Sequence, residues 1–183
     1  MSLKMFLVSV INSSLIPSFV MFLMFLPALA ILIMSLPFIP LAKGTEQAVI
    51  LTKEIIMKTI FKILILVVSL AVLSAWTWRL NMPSLYRGGD ALNMIEEFQA
   101  YGLNQTTMVV VGIFKVTCAI ILLIGLKVRR FVTPAAFIMG LFMIAAVYFH
   151  ISISDPLVPT LPSAIMLISC ATIIVLDKKT EKI

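Results

Sequence analysis

The sequence predicts an all-α fold: an integral membrane four-helix bundle, with an additional N-terminal hydrophobic helix or broken helical hairpin ahead of it. Three observations predict this class. Of 183 residues, 62% are hydrophobic and only 12% charged, against roughly 25% charged in an ordinary soluble domain. Mean hydropathy is +1.17. Apolar runs long enough to cross a bilayer alternate with short polar segments. The longest polar stretch, Asn81–Thr107, reads as a loop, so the chain has no room for a separate soluble domain. The net charge of +6 is divided among ends and loops. Basic residues do not cluster with aromatics as a nucleic-acid groove requires, so the charge reads as topology. The expected partner is the lipid bilayer, with no nucleic acid.

Residues Met5–Ala42 carry no charge between Lys4 and Lys43. As a helix that length would reach roughly 57 Å, nearly twice the hydrocarbon thickness. Asn12, Ser13 and Ser14 offer a break, and Pro17, Pro27, Pro37 and Pro40 offer kinks or ends. One span near Leu15–Leu36, preceded by a short interfacial or re-entrant piece, fits this pattern, and two short spans are the alternative. The run is too long for a cleaved signal peptide. Lys43–Lys58 reads as a polar linker. Met57-Lys58-Thr59-Ile60 resembles the beginning of a protein, so the chain divides into an N-terminal extension with linker, 1–56, and a four-helix transmembrane domain, 57–183.

The domain opens with a span at about Ile60–Leu80, with Trp76 and Trp78 marking a headgroup boundary and Arg79 at its end. Arg87-Gly88-Gly89-Asp90 reads as a turn, with Asp90 as a helix cap. Ala91, Leu92, Met94, Ile95, Phe98 and Tyr101 then recur at helical spacing, opposite Asn93, Glu96, Glu97 and Gln99. This predicts a short amphipathic helix, closed by Gly102, lying on the bundle or at the interface. Asn104-Gln105-Thr106 matches a glycosylation sequon, a motif frequent by chance. Further spans follow at about Thr107–Leu126, Phe131–Ile153 and Leu157–Leu176, before the tail from Asp177 to Lys182. Basic residues at Lys53, Lys58 and Lys62, at Lys127, Arg129 and Arg130, and at Lys178, Lys179 and Lys182 fall on one side if these four spans alternate. The positive-inside rule makes that side cytoplasmic, with the C-terminus. Asp90, Glu96, Glu97 and Asp155 then lie outside, with Arg79 and Arg87 as exceptions.

Four ionisable residues converge on the outer half of this arrangement. Arg79 closes its span. His150, the only histidine, lies roughly 28 Å along its span from the inner side. Lys115 lies about 12 Å below the outer end of its own span. Asp155 follows in the outer loop. Gly112, Lys115 and Ala119 share one helix face, and Ala136, Gly140, Met143, Val147 and His150 share another. Small residues allow close helix approach, so both faces are expected to point inward. A bundle-facing lysine needs a carboxylate, with Asp155 or Glu97 as candidates. The plainer alternative is that Lys115 snorkels, Arg79 anchors a helix end and His150 sits at the boundary. Cys118 and Cys170 lie inside apolar runs and form no C-x-x-C, so a dithiol or zinc site is not expected.

From about Met57 to Lys182 the chain resembles the DoxX/DoxX-like family of small four-helix bacterial membrane proteins. The resemblance rests on Arg79 closing the first helix and on the loop with Phe98, Gly102 and Leu103. Gly112-Ile-Phe-Lys115 with Ala119, and the Leu122–Leu126 run, follow in order. His150-x4-Asp155-Pro156 with Leu161-Pro162-Ser163-Ala164 completes it. The resemblance implies a bundle in the bacterial cytoplasmic (inner) membrane. Some members are associated with quinone-linked sulfur oxidation, or with oxidative-stress and thiol homeostasis. Joined to the converging residues, the resemblance gives the first functional reading: a redox-associated membrane subunit whose pocket of Arg79, Lys115, His150 and Asp155 would bind a quinone-like or small anionic ligand, with quinone as the candidate cofactor, His150 moving protons and Asp155 orienting it. The sequence shows no haem pair, flavin motif or cysteine pair, so the electron donor is expected on a redox partner subunit. The competing readings are a non-catalytic assembly or stabilising factor, as for a vertebrate relative, and a small transporter, for which inverted repeats are not apparent.

Overall fold

A computed structural model describes residues 43–181 and the single residue Pro27. The expected span near Leu15–Leu36 lies outside the described residues. The described elements are helices α1 (Lys43–Trp76), α2 (Met94–Ala100), α3 (Gln105–Gly125), α4 (Val132–Ser152) and α5 (Leu157–Glu181). Short 3₁₀ turns at Gly88–Asp90 and Arg129–Phe131 precede α2 and α4. Among the described residues, four helices are long and apolar enough to cross a membrane, over Gln47–Trp76, Gln105–Gly125, Arg129–Ser152 and Leu157–Thr180. The chain is a multi-pass integral membrane protein.

The segment read as a polar linker, Lys43–Lys58, is helical and continuous with the first span. Glu, Gln, Ala and Lys are strong helix formers, and neither proline nor glycine interrupts the sequence from Thr45 to Trp76. Lys58 pairs with Glu54 one turn back on the exposed side. At 34 residues α1 runs about 51 Å, well beyond a hydrocarbon core of about 30 Å. It stops at Trp76, short of the expected Leu80, and hands over to turns ahead of Pro83. The C-terminal tail is helical too, since α5 continues to Glu181.

The four long helices form a closed ring in which α1 packs on α3 and α5, and α4 packs on the same two. Their inner faces are tightly filled only in the half that holds the α3–α4 turn. There Leu64, Ile65 and Val68 of α1 meet Leu122 of α3, Met139 of α4 and Ile173 of α5, all fully buried. Arg129 ties this end shut: its guanidinium donates to the buried Asp177 at 2.9 Å and to Thr180, and it stacks on Phe61. Thr133 donates to the other Asp177 oxygen at 2.8 Å. Outward-facing Leu70, Ile113, Phe137, Leu141 and Ile144 present the apolar surface that lipid requires.

At the opposite end, α2 lies across the bundle. Met94 and Phe98 bury against Met108, Trp76 and Leu80. The cap of α2 is Asn93, whose side chain accepts from the Glu96 N–H at 3.0 Å. Asp90 does not cap it: the 3₁₀ turn ends there, with Gly89 at φ +63° and Asp90 at φ +55°, which leaves Asp90 too early to reach the first amides of α2. Gly102, at φ +73°, closes α2 as expected, with the Leu103 N–H returning to the Phe98 carbonyl at 2.8 Å. The sequon residue Asn104 caps α3, accepting from the Thr107 N–H at 2.8 Å.

Candidate functional site

Above the packed half, the same four helices diverge around a cavity of about 830 Å³ roofed by α2. Its walls are mostly hydrocarbon, with Phe142 and Met143 of α4 facing Pro162 and Met166 of α5. Arg79, Lys115 and His150 all line it. Asp155 does not: it lies behind His150, in the α4–α5 turn.

Lys115 projects from the middle of α3. Its Nζ sits 5.6 Å from the centroid of the Trp76 ring, within cation–π range. The carboxylate partner expected from sequence is absent: among the described residues Lys115 makes no ion pair. The physical reason is that both candidate carboxylates are engaged elsewhere. Gly112, one turn earlier on the same face, lets the Trp76 ring come close to α3. A Cβ there would stand 2.5 Å from the ring.

Glu97 belongs to Arg87. Their charge-assisted bond is 2.9 Å and both side chains are buried. Arg87 also donates to the carbonyls of Arg79 at 2.7 Å, Leu80 at 3.2 Å and Met82 at 3.0 Å. Those carbonyls sit in the turns beyond the end of α1, so one guanidinium binds the roof to that helix. The other Glu97 oxygen accepts from the Gly88 N–H at 3.1 Å and the Tyr101 hydroxyl at 3.2 Å. Burial, and then the Glu97 charge, push the Tyr101 phenol well above its ordinary value, so it stays protonated as a donor.

Tyr101 also reaches His150, with its hydroxyl 3.1 Å from Nδ1 and 3.4 Å from Nε2. The Asp155 Oδ2 lies 2.7 Å from His150 Nδ1, and its Oδ1 accepts from the Gly89 N–H at 2.9 Å. The carboxylate orients the ring and draws the proton to Nδ1, which turns Nε2 into the free acceptor. Gly88 is required here, since a Cβ would fall 2.3 Å from the Tyr101 hydroxyl and 2.4 Å from Asp155.

Arg79 is half-buried at the cavity rim, where its Nη2 donates a long bond to Ser84 at 3.4 Å. Burial, and then the neighbouring Arg87 charge, lower it below the usual arginine value, yet a guanidinium remains charged.

Sequence reasoning puts Arg79, Lys115, His150 and Asp155 in one pocket; the structure lines the cavity with the first three and sets Asp155 one contact behind, on His150. Sequence reasoning misses Arg87, which counts there only as an exception to the charge asymmetry, and the hydroxyl of Tyr101, which counts as part of an apolar face. A cation among four carboxylates was the available signal for Arg87, and Tyr101 four residues after Glu97 was the signal for that pair.

Fold and site together define a small multi-pass membrane bundle with a roofed, partly cationic cavity at one end. A model of the DoxX-like family matches residues 84–173, from the turn ahead of α2 into α5. Over that segment the chain is similar to the DoxX-like family, which bears out the resemblance read from its sequence. Helix α1 and Arg79 precede the match. No curated protein and no solved structure matches the chain.

Proposed function

We propose that this protein is a redox-associated membrane subunit that holds a quinone-like ligand in the cavity beneath α2. The observation that carries the reading is the pair Lys115 and Trp76: an ammonium without a carboxylate beside a flat ring, in an apolar cavity. That pair fits a flat, carbonyl-bearing head, with Lys115 donating to an oxygen and Trp76 stacking on the ring. Quinone bound there would supply two-electron carrier chemistry. His150 would accept or return a proton at Nε2, with Asp155 holding Nδ1. Electrons would come from a redox partner subunit. The cavity end faces away from the cytoplasm of a bacterial inner membrane, and the α3–α4 turn and C-terminus face inward, on the strength of the basic residues at the turn end.

Photolabelling with an azido-quinone tests this. Label in α3 or α4 that unlabelled quinone displaces saturably is expected, and Lys115→Met should lose it. Label spread over the lipid-facing surface without displacement would end the reading. A second reading, a non-catalytic assembly factor, draws support from Trp78, Leu85 and Leu92. These large residues are well exposed around the roof, where a partner could dock. A partner that co-purifies equally with Lys115→Met would favour it.

A further inference from the structure

The charge facing the cavity is unbalanced. Three basic side chains line it, Arg79, Arg87 and Lys115, against one carboxylate, Glu97. Arg87 takes that carboxylate with a 2.9 Å bond. Asp155 faces His150 and the Gly89 amide and does not reach the cavity. Among the described residues, Arg79 and Lys115 make no ion pair. One sits at the rim and the other at mid-depth, above a wall of Phe142, Met143 and Met166. A positive surplus against hydrocarbon attracts negative charge far more strongly than it would in water. A small inorganic anion would leave the apolar wall uncovered, and a neutral molecule would leave both cations uncompensated.

We infer that the cavity selects an amphipathic anion, its ionised oxygen head between Lys115 and Arg79 and its apolar body on the α4–α5 wall. The inference rests on the ligand cavity of the proposed function and narrows its occupant to the ionised form. Two sources share this chemistry: an acidic quinone, and a long-chain carboxylate.

The experiment uses the full chain in detergent and reads quenching of tryptophan fluorescence, since Trp76 lines the cavity. The probes are an alkyl hydroxynaphthoquinone, a vinylogous acid ionised at neutral pH, and its neutral methyl ether with the same body. Dodecanoate and acetate serve as competitors. The ionised quinone should bind roughly tenfold to a hundredfold tighter than the ether, the usual range for one bond to a charged group. Lys115→Met should remove that preference and Lys115→Arg should keep it. Arg79→Gln should weaken it, providing a second variant outside the bundle core. Dodecanoate should compete and acetate should not. Equal affinity for acid and ether would overturn the inference while leaving the quinone reading intact. Binding of dodecanoate alone would uphold the inference and sink the quinone reading. Competition by acetate as strong as by dodecanoate, or no binding by any probe, would overturn the inference.

Discussion

Glu97 shows how much a single side chain holds at the roof. It neutralises Arg87, accepts from the Gly88 amide and fixes the Tyr101 hydroxyl that meets His150. Replacing it with glutamine keeps the shape but leaves the Arg87 guanidinium buried and uncompensated. Breaking a buried pair from one side costs about 3–5 kcal/mol. We expect Glu97→Gln to lower the unfolding temperature in detergent markedly, while Glu96→Gln, on the exposed face of α2, should change it little. Equal effects of the two would show that the Arg87 pair is not what secures the roof. The four-residue spacing of Glu97 and Tyr101 is legible in the sequence, but the choice of Arg87 as the partner of Glu97 is not. There Glu97 competes with Asp155 for Lys115, and only the fold shows that Arg87 reaches Glu97 first.

Among the elements, the approach of α1 to α3 positions the cavity. It depends on Gly112 admitting Trp76, whose ring carries Lys115 on one side and meets Phe98 of α2 edge-on, with centroids 6.0 Å apart. Gly112→Ala would gain up to about 1 kcal/mol of helix propensity. It would also force a Cβ into a ring 2.5 Å away, and overpacking of this kind costs about 1–3 kcal/mol. The expected outcome is net destabilisation with a shifted tryptophan emission maximum. An unchanged emission spectrum would contradict the role given to Gly112. The spans themselves are legible because their apolar runs match the bilayer thickness, and the inward faces of α3 and α4 are legible from their small residues. Two element boundaries are not. Charge at Lys53, Glu54 and Lys58 imitates a loop, although those residues favour helix. Asp90 imitates a cap, although the left-handed conformations at Gly89 and Asp90 redirect the chain and leave that role to Asn93.

For the whole molecule, the two ends carry opposite chemistry, and this sets the expected topology. Lys127, Arg130, Lys178 and Lys179 are exposed at the turn end, and Glu96 is exposed at the α2 end. Single cysteines introduced at positions 178 and 96 should react with an impermeant maleimide in intact cells only at 96. Native Cys118 and Cys170 are buried and leave little background. Strong labelling at 178 with none at 96 would reverse the orientation.

The division of the bundle into a packed half and a hollow half has an electrical consequence. Lys115 stands ten residues into the 21-residue helix α3, about 15 Å along its axis. Voltage across the membrane falls mainly over the tightly packed half and less over the open half. A unit charge crossing the whole membrane gains or loses about 2.3 kcal/mol per 100 mV. An anion that travels from the roof to Lys115 therefore crosses at most about half of that field, or about 1 kcal/mol per 100 mV as an upper limit. For the amphipathic anion inferred for this cavity, voltage negative on the turn side would oppose entry, so that energising the membrane by 100 mV would lower its affinity by at most about fivefold and depolarisation would restore it.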